Sequence, residues 1–297
     1  MISDAFSVSG FFRWNRFDEK TLRQACEAFA GCGTKFLSVD AETVKTLPDN
    51  PSRLKRLVAM AKEYGLVFRD AHAPWGAAFD LNELTDEPRL TIHETILPIL
   101  AESDIQTYTF HIGAPCVYNR SWFGHEDHFR AIAASALERL LKTAEKERIT
   151  LAVENCFEPS TTAEEAMSLV KQFPSQYLGL CLDCGHANLM EPRKGRIVTD
   201  MVNYIQDAWK PGIPRFTPGI AEYMCPEIVT VHVHDNNGLD DLHAPISEQG
   251  TIDWNRYASV LSKAPRLISL QSEVEITDES SIRLLPEWMK GLQAPWK

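Results

Sequence analysis

Short apolar runs alternate along the chain with longer segments in which apolar residues recur every three to four positions. Strand-like runs fall at 6–12, 35–39, 66–71, 106–112, 150–154, 178–182, 228–234 and 267–274. Helix-like stretches follow them at 19–30, 51–64, 89–103, 127–148, 162–172, 199–209, 254–263 and 279–292. Eight strands, each followed by a helix, predict a parallel sheet closed on itself, a (β/α)8 TIM barrel. Local punctuation agrees: Asp18 and Ser160 or Thr161 stand where helix N-caps belong, Pro51 suits a first helical turn, and Gly65 follows the second helix as a C-cap would. Residues 211–226 hold four prolines and two glycines and read as a long loop before the seventh strand. With no low-complexity linker, residues 1–297 read as one domain.

Composition narrows the picture. Hydrophobic residues at 44% and charged residues at 24% exclude intrinsic disorder and collagen-like structure. A formal net charge of −11 repels phosphate backbones and anionic lipid, so no nucleic-acid partner is expected. The N-terminus shows no export signal and no stretch approaches a membrane span. Seven scattered cysteines read as reduced thiols, which together predict a cytoplasmic protein. The one close pair, Cys181 and Cys184, lacks a second pair at zinc-finger spacing and sits in an apolar run, so it reads as packing.

In such a barrel the strand C-termini form the active rim, and six successive runs here end in His, Asp or Glu. The third leads into His72 and Trp75, and the fourth into His111. The fifth ends in Glu154-Asn155, and the sixth in Asp183 with His186 three residues on. The seventh carries His232 and His234, and the eighth Gln271, Glu273 and Glu275. One such residue can simply cap a helix or pack in a loop. A ring of carboxylates and imidazoles is costly unless a cation neutralises it. Oxygen and imidazole donors favour divalent ions of the Mn, Mg, Co or Zn kind over soft metals.

The motifs Glu154-Asn155, Leu182-Asp183-Cys184-Gly185-His186-Ala187-Asn188, His232-Val233-His234-Asp235-Asn236 and the stretch from Asp241 to Trp254 resemble the xylose isomerase-like barrel superfamily of sugar phosphate isomerases and epimerases. The resemblance spans nearly the whole chain and implies a metal held by Glu154, Asp183, His232 and Glu273, with Gln271 and Glu275 as alternatives on the eighth strand. It also implies an isomerase that interconverts a ketose, aldose or keto-polyol by proton transfer through a metal-stabilised enediolate, with Glu154 and Glu273 as base and acid. His72, His111, His186 and His234 would contact substrate hydroxyls, His234 alternatively orienting a metal ligand, and Trp75 would form an apolar wall. A neutral sugar or polyol is the expected substrate, because the chain shows no phosphate cradle, although Arg120, Arg193 and Lys194 lie in loops on the active side. The resemblance further allows a homo-oligomer.

Three alternatives share this fold. A dehydratase or lyase acting on a keto-inositol or similar substrate begins with the same enediolate. The endonuclease IV class is similar too, and its additional zinc ligands resemble His72, His111, His186 and the pair Asp241 and His243. A barrel that only binds sugar is the third.

Overall fold

All eight runs form strands, and the rim residues follow from where each strand stops. The structure, a computed structural model, describes residues 4–85, 87–195, 197–276 and 278–297. The strands are β1 (Val8–Ser9), β2 (Phe36–Val39), β3 (Val67–His72), β4 (Thr107–Phe110), β5 (Thr150–Glu154), β6 (Leu178–Asp183), β7 (Ile228–Val233) and β8 (Ser269–Ser272). They pair in parallel in the order β1-β8-β7-β6-β5-β4-β3-β2, which confirms the (β/α)8 TIM barrel. The first run shrinks to two strand residues, and closure of the ring falls to Gly10. Its N–H donates to the Phe36 carbonyl at 2.8 Å, and its carbonyl accepts from Ser38 N–H at 2.9 Å. A Cβ there would sit 2.5 Å from the Phe29 ring, so only glycine lets the first helix pack against the seam.

The helices match the periodic stretches to within a few residues, with caps of the expected chemistry. Asp18 accepts from Thr21 N–H and starts the helix Glu19–Gly31. The helix after β5, Ala163–Val170, is capped by Thr162 rather than by Ser160 or Thr161. The hydroxyl of Ser160 is committed to the Gly113 carbonyl at 2.7 Å, and that of Thr161 to the Glu158 carboxylate at 2.8 Å. Residues 211–226 are not loop throughout, since they contain the short helix Ile220–Met224. A second short helix, Cys184–Leu189, begins directly at the end of β6.

The lower barrel interior is polar and internally satisfied. Asp70 accepts from Ser9 at 2.5 Å, Thr107 at 2.7 Å and Arg69 Nε at 3.2 Å. Gln271 donates to Thr230 at 2.8 Å and accepts from Ser38 at 3.3 Å. That network consumes Gln271 below the rim.

On the outer layer, His93 ties the loop after β3 to β4. The Tyr108 hydroxyl donates to its Nδ1 at 2.9 Å, and Nε2 donates to the Phe79 carbonyl at 2.8 Å. Burial pushes this ring down from 6.5 to about 4. Because the folded value is depressed, the contribution is complete above 6.5 and is lost as pH falls toward 4. That interval corresponds to about 3 kcal/mol. Denaturant unfolding at pH 7 and pH 4.5 should show a loss in the native protein that shrinks by about that amount in His93→Gln. An identical loss in both proteins would assign the effect to other groups.

Candidate metal centre

Glu154, the last residue of β5, is 1% exposed and stands at the middle of the rim. Its Oε2 faces His72 Nε2 at 3.1 Å, from the end of β3, and His111 Nε2 at 3.3 Å, from just beyond β4. Its Oε1 faces His186 Nδ1 and His232 Nδ1, each at 3.4 Å. One carboxylate thus serves four imidazoles from four strand ends.

Sheet register brings the next groups in. Asp183 pairs with His232 across β6 and β7, and His232 with Gln271 across β7 and β8, so Glu273 emerges two residues beyond at the same rim. The fully buried His232 turns Nδ1 toward Glu273 Oε2 at 3.2 Å, Glu154 Oε1 at 3.4 Å and Asp183 Oδ2 at 3.7 Å. Neither of its nitrogens has a hydrogen-bond partner among the described residues. Asp183 also caps the helix Cys184–Leu189, accepting from His186 N–H at 2.6 Å. Beside this group, Asp241 Oδ2 lies 3.4 Å from both His186 Nε2 and His243 Nε2.

The electrostatics follow from that packing. Burial alone raises the Glu154 carboxyl, but His232 and His111 outweigh it and hold the group well below the ordinary range. Asp183 behaves alike under the pull of His186 and His234. Burial opposes charge on His232, yet the carboxylates of Glu273 and Glu154 lift it well above 6.5. His186 is raised mainly by Asp183 and Asp241 against the same burial. His243 reaches about 9 because contact with Asp241 and the charge of Glu273 exceed the cost of burial.

The rim opens into a cavity of about 380 Å³. His72, His111, Glu154, His186 and Glu273 line it, together with Asp241 and His243. Trp75 lies over the two imidazoles that face Glu154 Oε2, with its ring 6.2 Å from that of His111 and 29° from parallel, and 6.1 Å from that of His72 edge-on. Asp183 and His232 close the floor, each fully buried. Of the eighth-strand candidates, Glu273 meets His232, Gln271 is committed inside the barrel, and Glu275 pairs with Arg13 at 2.7 Å. The structure places His234 below the cavity against Asp183, not on its lining. Trp122 stacks on Phe129 as packing. Cys181 and Cys184 are buried, free thiols.

Sequence reading missed the opposite walls. Phe11, Arg13, Asp80, Tyr118 and Phe157 also line the cavity. Asp80 accepts from Gly76 N–H and the Tyr118 hydroxyl, each at 3.0 Å, which pins the loop that carries Trp75. The P-W-G turn was the only local signal for that loop. Arg120 is taken up by Glu83, and Arg193 by Asn188 and Thr251, so neither lines the cavity.

The family model for xylose isomerase-like TIM barrels matches residues 24–292. The chain belongs to the xylose isomerase-like TIM barrel family. The uncharacterized protein MJ1311 of Methanocaldococcus jannaschii is 26% identical over 216 residues, 69% of this chain and 63% of that protein. The matched region thus spans less than two thirds of that curated relative's length. Among solved structures, a putative xylose isomerase from Rhodospirillum rubrum is similar at 16% identity with a TM-score of 0.70, covering 97% of this chain and 98% of that one. The D-psicose 3-epimerase of Clostridium cellulolyticum H10, solved with D-tagatose, is similar at 14% identity and a TM-score of 0.66, covering 97% and 96%. These two likenesses concern the fold. No helix among the described residues is long and apolar enough to cross a membrane.

Proposed function

We propose that this member of the family is a divalent-metal-dependent isomerase or epimerase of a ketose, aldose or keto-polyol. The carrying observation is His232 Nδ1, buried without a hydrogen-bond partner and ringed by carboxylate oxygens of Glu154, Asp183 and Glu273 at 3.2–3.7 Å. Donor atoms about 2.1 Å from a common ion lie about 3.0–3.4 Å from one another; Glu273 and Glu154 stand at that spacing from His232 Nδ1 and Asp183 at 3.7 Å just beyond it, so the residues fit such an ion. Three carboxylates with one imidazole suit Mn²⁺, Mg²⁺, Co²⁺ or Zn²⁺. When bound, the ion would polarise a sugar carbonyl and its neighbouring hydroxyl and ease proton loss through an enediolate.

The chain's own groups supply the rest. Glu154 and Glu273 present carboxylates to the cavity from different strand ends, and one takes the proton while the other returns it. The His72 Nδ1–H is held by the Ala73 carbonyl at 2.6 Å, which fixes that ring with Nε2 toward Glu154. The Nδ1–H of His186 donates to the Asn155 carbonyl at 3.0 Å, leaving Nε2 on the Asp241 side. Trp75 offers an apolar face above His111. Among the described residues the lining carries one guanidinium, Arg13, already paired with Glu275, against the carboxylates of Asp80, Glu154, Glu158, Asp241, Glu273 and Glu275. That balance favours an uncharged sugar over a phosphorylated one.

A second reading rests on two further donor clusters, one of His72, His111 and Glu154 and one of His186, Asp241 and His243. They suit a multi-zinc hydrolase of the endonuclease IV kind, while the acidic lining and the net charge of −11 oppose a phosphate backbone. Elemental analysis of protein purified without chelator, combined with a screen for solvent deuterium uptake by ketoses, aldoses and keto-polyols, separates the two. About one divalent ion per chain with uptake into a sugar supports the isomerase. About three zinc ions with cleavage of abasic-site DNA and no uptake replaces it.

A further inference from the structure

His234 and His243 stack with ring centroids 4.0 Å apart and planes 7° from parallel. His234 is fully buried, and its Nε2 faces both oxygens of Asp183 at 3.0 and 3.2 Å. A carboxylate only accepts, so Nε2 carries the hydrogen. Nδ1 is buried and has no hydrogen-bond partner among the described residues, so the contact with Asp183 is the one that orients the ring. Gly185 makes the room, since a Cβ there would stand 2.1 Å from His234 Cε1.

The other ring comes from the loop after β7. Asp235 and Ala244 exchange backbone hydrogen bonds of 2.8 and 3.0 Å across its neck. His243 takes a left-handed backbone, φ +44°, and its Nδ1 donates to the Glu273 carbonyl at 3.0 Å. The stack therefore runs from the Asp183 carboxylate at the end of β6 to the main chain of Glu273 after β8.

We infer that this imidazole stack is a positioning device for the candidate centre, in which His234 fixes the Asp183 carboxylate while His243 fixes the plane of His234 and tethers Glu273. The inference rests on the divalent-metal reading above. Terminal torsions of carboxylates are soft. Asp183 Oδ1 is anchored by His186 N–H, and the two-oxygen approach of His234 sets the remaining rotation, and with it the lone pairs turned toward His232.

Two substitutions separate the donor from the ring. His234→Gln keeps an amide N–H near the Nε2 position, and His234→Phe keeps the stacked ring without a donor. Calorimetric titration of the full chain with Mn²⁺ should show His234→Phe binding about 10- to 100-fold more weakly than wild type, with His234→Gln close to wild type. Imidazole ¹⁵N spectra of the wild-type protein should show His234 as the Nε2–H tautomer, which tests the geometry even if a variant fails to fold. Equal Mn²⁺ affinity in wild type and His234→Phe, or an Nδ1–H tautomer, overturns the inference. A wild-type protein that binds neither Mn²⁺ nor Zn²⁺ fails the metal reading instead, and the tautomer then decides the positioning of Asp183 alone.

Discussion

Glu154→Gln should fold and should lose at least about 10³-fold in turnover, read as solvent deuterium uptake at the carbon next to the sugar carbonyl. The substitution keeps shape and removes one negative charge from the centre of the rim. Four imidazole nitrogens lie within 3.1–3.4 Å of that carboxylate, and among the described residues no other carboxylate reaches all of them. The amide cannot accept a proton at this position and is a poor ligand for a divalent ion, so both halves of the proposed chemistry fail together. Divalent affinity should fall in parallel, and the rings of His111 and His232 should shift back toward the ordinary imidazole range, because Glu154 is among the charges that raise them. Undiminished uptake in a correctly folded variant would remove Glu154 from the proton path.

Much of this arrangement is legible in the chain because a barrel strand writes its end in residue type. The apolar runs that become β5 and β6 finish on Glu154 and Asp183 at the rim, β7 carries His232 one residue before its end, and register does the rest. What stays hidden depends on groups distant in sequence. Nothing local distinguishes Gln271 from Glu273, and the choice is made by Thr230 and Ser38, which hold Gln271 inside the barrel. Strand parity places His232 and His234 on one face, but β7 ends at Val233 and the missing Cβ of Gly185 admits His234 beneath Asp183, away from the cavity. The helix Ile220–Met224 is masked by the prolines and glycines around it, whose signal for a loop dominates any short window. The aromatic wall of Phe11, Tyr118 and Phe157 comes from three separate loops and has no periodic signature.

Removing divalent ions with a chelator should abolish sugar turnover and also reverse the pH dependence of stability on the alkaline side. Without a cation, the carboxylates of Glu154, Asp183, Asp241 and Glu273 are balanced by protons on His111, His186, His232 and His243, all raised in the folded protein. A raised folded value gives stability that is complete below the unfolded value near 6.5 and is lost as pH rises through the folded one. For His243 the interval from 6.5 to about 9 corresponds to about 3 kcal/mol, and the other rings act in the same direction. A divalent ion competes with those protons, so its affinity should instead rise with pH as ligands deprotonate. At about 100 times its Kd it adds about 2.7 kcal/mol to the stability of the folded chain. Melting curves of chelated and Mn²⁺-loaded protein should therefore lie close together near pH 6 and separate progressively toward pH 9. Parallel curves across that range would mean that these histidines and the ion do not share one site.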